Sequence, residues 1–483
     1  MSSAQTDRAC GVLLGQACGD ALGVPYEFAR PPAAHEQAQM RGGGLGPYAP
    51  GEWSDDTQMA VGIAQVASSG ADLSSPGALD EISEYFLRWR REGASDIGVQ
   101  TSTVLSSAWS DEGSPSKRLR DASQRYAEQH PRSAGNGALM RTAIVGISAL
   151  DDRDATAANA RAVAELTHAD PLASDSCVLW SEAIRIAVLD KRLDLRSGLD
   201  LLPADRRNQW GDWITDAETS APSGFTPNGF TVTALQAAWS AIIQSDPANR
   251  NSKRQFDCEH LQDALHAAIR IGNDTDTIAA IGGGLLGAFW GQSAIPLAWV
   301  RQLHGWPGLR ARDLVRLAAL TATGGVPDRQ GWPQLKHLEY GVPPRSAATL
   351  IADDEVLLGT ANATGHDATA LVSLCRLGTQ DVPAPGIKAP DHVEVRLLDS
   401  DAPDANPNLG FVLANTAETI RDLRQEGHRV LVHCVRAEQR TPAVAVVFLK
   451  LMGFPVDEAS AQVARALPDS RRVGRVWVAA TNA

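Results

Sequence analysis

Gly272-Asn273-Asp274-Thr275-Asp276-Thr277-Ile278, running on through Gly282-Gly283-Gly284 to Trp290-Gly291, is the stretch on which the reading of this chain turns. It sets two carboxylates at i and i+2 among hydroxyls and an amide, at the mouth of a helix rich in small residues. Ile278, Ala279, Ala280, Ile281, Leu285, Leu286, Ala288 and Phe289 leave it almost no polar face, the pattern of a helix buried on most sides. Carboxylates carried into an interior need compensating charge. Oxygen donors at this density suit a hard cation such as Mg2+. An Asp or Thr ahead of an apolar helix is also the ordinary N-cap, which would explain one carboxylate but not both together with Asn273.

A second acidic cluster, Gly51-Glu52-Trp53-Ser54-Asp55-Asp56-Thr57-Gln58-Met59, again stands at the start of an apolar helical run, Met59 to Val66. Adjacent Asp55 and Asp56 point in different directions, so one can meet a cation directly while the other bridges or holds water. Like charges this close repel unless a cation sits between them or one carboxyl stays protonated. Ser54 and Asp55 could instead cap a solvated loop. Two clusters of one kind, far apart in the chain, point to a shared metal site.

A chain of 483 residues exceeds what one hydrophobic core usually serves, so two domains are expected. With 43% hydrophobic and 21% charged residues the composition is that of a globular protein. A net charge of −13 argues against nucleic acid and acidic membrane surfaces as partners. The six cysteines are scattered without a C-x-x-C pair, which fits reduced thiols rather than disulfides or zinc. No signal peptide is legible at the N-terminus, and Gly11–Leu22 is too short and carries Asp20, so nothing is expected to span a membrane. The protein is expected to be cytoplasmic.

Residues 1–325 read as an all-α domain, with apolar spacings of three and four in 58–67, 78–89, 155–166, 175–189, 231–243, 260–271 and 311–320. Residues 326–350 are rich in Pro, Gly and Trp and read as a linker. In 351–483 the rhythm changes to short β-prone runs, Glu355–Leu358, Leu371–Leu374, Val393–Leu398 and Val430–His433, alternating with helical patterns at 414–426, 441–452 and 457–466. That is a small α/β domain on a largely parallel sheet.

The first domain resembles the ADP-ribosylglycohydrolase family over residues 8 to about 322. Six motifs carry the resemblance, in order: Gly15-Gln16-Ala17-Cys18-Gly19-Asp20-Ala21-Leu22-Gly23 with Glu27; Ser54-Asp55-Asp56-Thr57; Asp96-Ile97-Gly98; Ser133 through Arg141; Thr167-His168-Ala169-Asp170; and Gly272 through Thr277. The resemblance implies an orthogonally packed helical fold with two Mg2+ ions in a central cleft, Mn2+ being an alternative. Its implied ligands are Ser54, Asp55, Asp56, Asp274, Asp276 and Thr277, with Asp276 bridging. It places Glu27 close to the metals. It assigns Asp96 to the distal ribose, although Asp96 could also cap the segment at Val99. Where the arginine-specific branch has asparagine, this chain has Val99 or Gln100.

Ser133, Gly135, Asn136 and Gly137 form a glycine-bearing turn ahead of an apolar helix at Leu139–Ile147, and backbone amides there can hold phosphate. The resemblance makes this the diphosphate loop and puts His168, beside Asp170, at the ribose or the leaving group. Asp170-Pro171 is also a routine helix entry. Trp210, Trp213, Phe225 and Phe230 could stack an adenine or serve as plain core.

In the second domain Val430-Leu431-Val432-His433-Cys434, followed by Arg440-Thr441, has the form strand, H-C-x5-R-T, helix. A cysteine at a helix N-terminus beside an arginine is a competent nucleophile, and the arginine can clamp a phosphate. The segment resembles the dual-specificity, or tyrosine, phosphatase family, which implies Cys434 as nucleophile, Arg440 as phosphate clamp and Asp399 or Asp401 as general acid. Ala437 stands where that loop usually has glycine, and Glu438 adds negative charge, so a working phosphatase and a retained phosphate-binding module are both open. The expected function is Mg-dependent hydrolysis of an ADP-ribosylated protein or related conjugate, an arginine-type acceptor ahead of serine or a nucleic-acid end. A phosphorylated group would be the ligand of the second domain. The alternatives are a cysteine phosphatase whose helical domain only binds ADP-ribose, and a non-catalytic reader.

Overall fold

The computed structural model describes residues 1–246 and 254–482. The chain forms two compact units. One holds Gln5–Ile295 and Gln302–Val326; the other holds Pro327–Ala483 together with Met1–Ala4 and Pro296–Arg301. Among the described residues no helix is long and apolar enough to cross a membrane.

The first unit is helical. Its helices are α1 (Ser3–Gly23), α2 (Asp55–Ala67), α3 (Pro76–Glu92), α4 (Val99–Ser107), α5 (Pro115–Gln129) and α6 (Arg153–Ala164). These are followed by α7 (Pro171–Asp190), α8 (Arg207–Thr219), α9 (Thr231–Gln244), α10 (His260–Ile269) and α11 (Thr275–Trp290); the short α12 (Leu297–Gln302) belongs, all but its last residue, to the other unit, and α13 (Ala311–Ala322) is again of the first. Starts are set by local chemistry. Pro76, Pro115 and Pro171 open helices where their missing N–H costs nothing, and Asp152 and Asp170 accept from the first-turn amides of α6 and α7.

α1 and α11 meet backbone to backbone. Gly11, Gly15, Gly19 and Gly23 recur at every fourth position and so line one face of α1. A Cβ at Gly15 would lie 2.3 Å from the Gly283 carbonyl oxygen, one at Gly19 2.0 Å from that of Ala279, and one at Gly23 2.4 Å from the Asp276 Cα. The contact is reciprocal, since a Cβ at Gly287 would lie 2.0 Å from the Gly11 oxygen. Thr275 Oγ1 donates to the Gly23 carbonyl at 2.9 Å, tying the end of α1 to the start of α11. Apart from Phe289, every residue of α11 is buried, as its all-round apolar pattern implies.

The helix expected at Leu139–Ile147 is instead a pair of 3-10 turns, Leu139–Arg141 and Ala143–Ile147. Thr142, Ile144, Val145 and Ile147 are β-branched, which disfavours a continuous α-helix, and the segment is wholly buried.

The second unit is built on a five-stranded sheet in the spatial order Ala348–Leu350, Asp353–Thr360, Val430–Cys434, Ala370–Ser373, His392–Glu394. Only the first pair is antiparallel. The first of these strands falls inside the segment read as a linker. One sheet face packs Val356, Leu358, Val372 and Val432 against helices α14 (Leu409–Gln425) and α15 (Arg440–Leu451), with α16 (Val456–Ala466) and α17 (Gly474–Asn482) completing that layer.

Neighbouring glycines of α11 give a sharp test of the contact with α1. A Cβ at Gly283 would stand 2.2 Å from the Gly15 carbonyl oxygen, whereas at Gly282 nothing among the described residues lies within 4 Å. Gly283→Ala is expected to lower unfolding stability by about 1–3 kcal/mol in urea denaturation. Gly282→Ala is expected to be neutral or to gain up to about 1 kcal/mol from helix propensity.

Candidate functional site

The α1–α11 contact brings three acidic segments together. Asp20 lies in the last turn of α1, Asp55 and Asp56 open α2, and Asp274 and Asp276 flank the first residue of α11. Oxygen atoms of Asp20, Asp56 and Asp276 all fall within 4.8 Å of one another, as do those of Glu27, Asp274 and Asp276. Asp276 is common to both groups.

Ser54 and Asp274 occupy N-cap positions, yet neither side chain makes a capping bond. Their polar atoms are turned elsewhere. The Ser54 hydroxyl lies 2.8 Å from Asp20 Oδ1 and 3.0 Å from Asp56 Oδ2, and Asp274 Oδ2 accepts from Asn136 Nδ2 at 2.7 Å. Asn228 braces the other cluster: its Oδ1 accepts the Asp274 N–H at 3.1 Å and its Nδ2 donates to the Gly272 carbonyl at 3.1 Å. Between those contacts Asn273 holds a left-handed φ of 61°. The Thr277 N–H donates to Asp276 Oδ1 at 2.9 Å. Gln16 Nε2 reaches the Asp56 carbonyl at 3.3 Å and the Met140 carbonyl at 3.0 Å, fixing α2 against α1.

Crowded acids in a dry place resist ionisation. Burial, then Asp96, Asp274 and Asp55, push the Glu27 carboxyl up to about 9. Burial raises Asp56 well above the usual range, with Asp20, Asp55 and Asp274 adding to it. Asp276 is raised in the same way by burial and by Asp56, Glu27 and Asp274. Asp55 is raised by burial, Asp96 and Asp20, and Asp274 by burial against the opposing bonds from Asn136 and Thr277. Glu27 Oε2 and Asp56 Oδ1 are buried without a hydrogen-bond partner among the described residues. An all-oxygen donor set with orphaned carboxylate oxygens and excess acidity fits a hard divalent cation.

Asp96 faces this cluster through its effect on Glu27 and Asp55, and the cap preceding α4 is Gly98, not Asp96. The Ser133–Gly137 turn lies alongside. Its backbone is stitched to a neighbouring strand-like segment by Asn136 N–H to Gly229 at 3.1 Å and Thr231 N–H to Ala134 at 2.9 Å. Asn136 thus turns its amide to Asp274. His168 is buried, with Nδ1 2.8 Å from Thr167 Oγ1, and burial with nearby Arg141 pushes it down to about 3. Its Nε2 approaches the turn, since a Cβ at Gly137 would lie 3.2 Å away. Asp170 caps α7 by accepting the Leu172 N–H at 2.9 Å, and Ser133 Oγ stands 3.5 Å from its other oxygen. Of the four aromatics, Trp210 is fully buried while Phe230 is exposed next to Gly135. Asp20 and Asn228 were not read from sequence as site residues. An aspartate inside the apolar run Gly11–Leu22 was the available signal for the first; Asn228 carried none.

Cys434, Arg440 and Asp399 belong to the other unit. Cys434 ends the central strand and is buried, and Arg440 opens α15 after the loop 435–439. Arg440 Nη1 donates to the Leu374 carbonyl at 2.6 Å and the Leu397 carbonyl at 3.3 Å, while its Nε has no partner among the described residues. Asp399 is exposed. Ala437 adopts φ of 55°, and Glu438 pairs with Arg471 at 3.0 Å rather than facing into the loop uncompensated. A third group, Asp391, Glu426 and His428, already holds a cation, since Arg301 Nη2 lies 2.7 Å from Glu426 Oε2.

Two substitutions test these supports. Asn228→Ala would orphan the Asp274 N–H and the Gly272 carbonyl, and unfolding stability should fall by about 1–3 kcal/mol in denaturant titration. Ala437→Gly relieves a left-handed alanine and should raise stability by about 1 kcal/mol in the same measurement.

The family model for ADP-ribosylglycohydrolase matches residues 1–327. ADP-ribosylarginine hydrolase Tri1 of Serratia proteamaculans is 27% identical over 311 residues, covering 62% of this chain and 76% of its own. Among solved structures, an ADP-ribosylglycohydrolase-related protein complex aligns with 67% of this chain and 99% of its own at 26% identity and a TM-score of 0.49. A human DUSP28 variant aligns with 29% of this chain and 94% of its own at 22% identity and a TM-score of 0.25. With the family model matched over more than half of its residues, this chain belongs to the ADP-ribosylglycohydrolase family.

Proposed function

We propose that the helical unit is a divalent-cation-dependent hydrolase that removes ADP-ribose from a modified side chain, arginine first. The supporting observation is the convergence of Asp55 and Asp56 with Asp274 and Asp276, beside Glu27, in a buried and strongly acid-crowded cluster. A relative described as an ADP-ribosylarginine hydrolase supports arginine as the acceptor. Ser54, Asp55, Asp56, Asp274, Asp276 and Thr277 would hold two ions, Mg2+ or Mn2+, with Asp276 shared. When bound, such ions polarise ligated oxygens and lower the pKa of water.

The chain's own groups would do the rest. Cleavage at the anomeric carbon of the distal ribose develops positive charge there, which preorganised carboxylates stabilise. Glu27 and Asp96 would orient the ribose hydroxyls or take a proton from the attacking water. The amides of the Ser133–Gly137 turn, other than that of Asn136, which bonds Gly229, would hold the diphosphate without a basic side chain, an arrangement suited to an acidic protein. His168, kept neutral by its burial, would hydrogen-bond the ribose or the leaving group without adding charge.

For the second unit we propose oxyanion binding, with Cys434 as the candidate nucleophile and Asp399 or Asp401 as the candidate acid. Arg440 supports this reading: its side chain is buried at the start of α15, with Nε left over after Nη1 has bonded two carbonyls.

Incubation of the full chain with ADP-ribosylarginine peptides and Mg2+ should release ADP-ribose. Chelation should stop it, and Asp276→Ala should slow it by about a hundredfold or more. No release from arginine, serine or nucleic-acid conjugates in the presence of Mg2+ and Mn2+ would refute the hydrolase reading. Turnover of an aryl phosphate that survives Asp276→Ala but not Cys434→Ser would establish the second activity.

A further inference from the structure

Asp20 is fully buried, and its two carboxylate oxygens are saturated. Oδ1 accepts from the Ser54 N–H at 2.8 Å and the Ser54 hydroxyl at 2.8 Å; Oδ2 accepts from the Thr57 N–H at 3.0 Å and the Thr57 hydroxyl at 2.6 Å. A carboxylate offers about four lone-pair sites, and these donors fill them. Although Asp20 lies within reach of Asp56 and Asp276, it has no lone pair left for a cation.

The Ser54 hydroxyl has a single proton and two neighbouring carboxylates, with Asp56 Oδ2 at 3.0 Å. The shorter contact, to Asp20, is the better hydrogen bond, and with the hydroxyl donating to Asp20 only its lone pairs face Asp56. Two lone-pair atoms at that separation repel unless a cation lies against both or Asp56 keeps a proton, and a bound divalent cation displaces that proton. Asp56 is itself fully buried, and its Oδ1 has no partner among the described residues, so a second oxygen of the same carboxylate also awaits a ligand. We propose that Asp20 is a positioning residue for the divalent-cation site. By accepting the hydrogen bond of the Ser54 hydroxyl, it leaves that oxygen's lone pairs aimed at the cation. This rests on the cation reading of the site made above.

The test is calorimetric titration of Mg2+ into the chelated full chain. Asp20→Asn places an amide N–H₂ against existing donors and should weaken Mg2+ binding by roughly ten- to a hundredfold, the usual cost of losing a residue that orients a ligand. Ser54→Ala should weaken it too, and Asp20→Asn should add no more than about twofold in the Ser54→Ala background, because the hydroxyl it orients is gone. Metal-free thermal melts and circular dichroism of each variant separate loss of the site from loss of the fold. Unchanged Mg2+ affinity in a folded Asp20→Asn protein overturns the proposal, as does full additivity of the two losses. A wild-type chain that binds no Mg2+ overturns the cation reading itself. Should Asp20→Asn not fold, Ser54→Thr decides. Affinity kept in Ser54→Thr but lost in Ser54→Ala supports the oriented hydroxyl, and equal loss in both overturns it.

Discussion

The structure depends on two helices that touch through their main chains. With glycine at every fourth position, α1 lets α11 approach until a single added carbon would collide with a carbonyl. Packing of this kind gains dispersion energy over the whole contact, and it fixes the relative height of the two helices to within a fraction of a turn. Asp20 and Asp276 are then neighbours by geometry, before any attraction between their surroundings is considered. The charge cluster is imposed on the fold by glycine.

That imposition has an electrostatic consequence. Carboxylates held this close in a dry interior would ordinarily separate or rotate to solvent. Here they cannot, because Asn136 and Asn228 hold Asp274, Gln16 fixes the α2 backbone, and Asp20 holds Ser54 and Thr57. Neutral amides and hydroxyls therefore maintain an arrangement that is unfavourable in charge. The same arrangement suits an incoming cation, since its ligands need little reorganisation.

Much of this was legible in the residues. The buried α11 announced itself by an apolar run without a polar face, and the acid pairs by their position at helix mouths. The left-handed conformation of Ala437 was foreseeable from alanine standing in a glycine position. Other features were hidden for physical reasons. The helical character of α1 was masked because the buried Asp7, Gln16 and Asp20 interrupt its apolar run and four glycines lower its helix propensity. The polar α5 buries little beyond Leu119 and Ala122, too thin a stripe to mark a helix. Asn136 stands in a turn that the family resemblance makes the diphosphate loop. Its contact with Asp274 depends on a partner far along the chain, which no local pattern displays. Asn228 before Gly229 reads as an ordinary turn, and its role exists only in three dimensions.

The chain passes from one compact unit to the other after residues 4, 295, 301 and 326. The short α12 accordingly finds its bonds among later residues, Leu297 with Asn415 and Arg301 with Glu426. A nick near residue 326 would therefore leave Met1–Ala4 and Pro296–Arg301, which belong to the second unit, on the N-terminal piece. The boundary between the units is thus crossed four times by the chain, and no single cut separates them along the sequence.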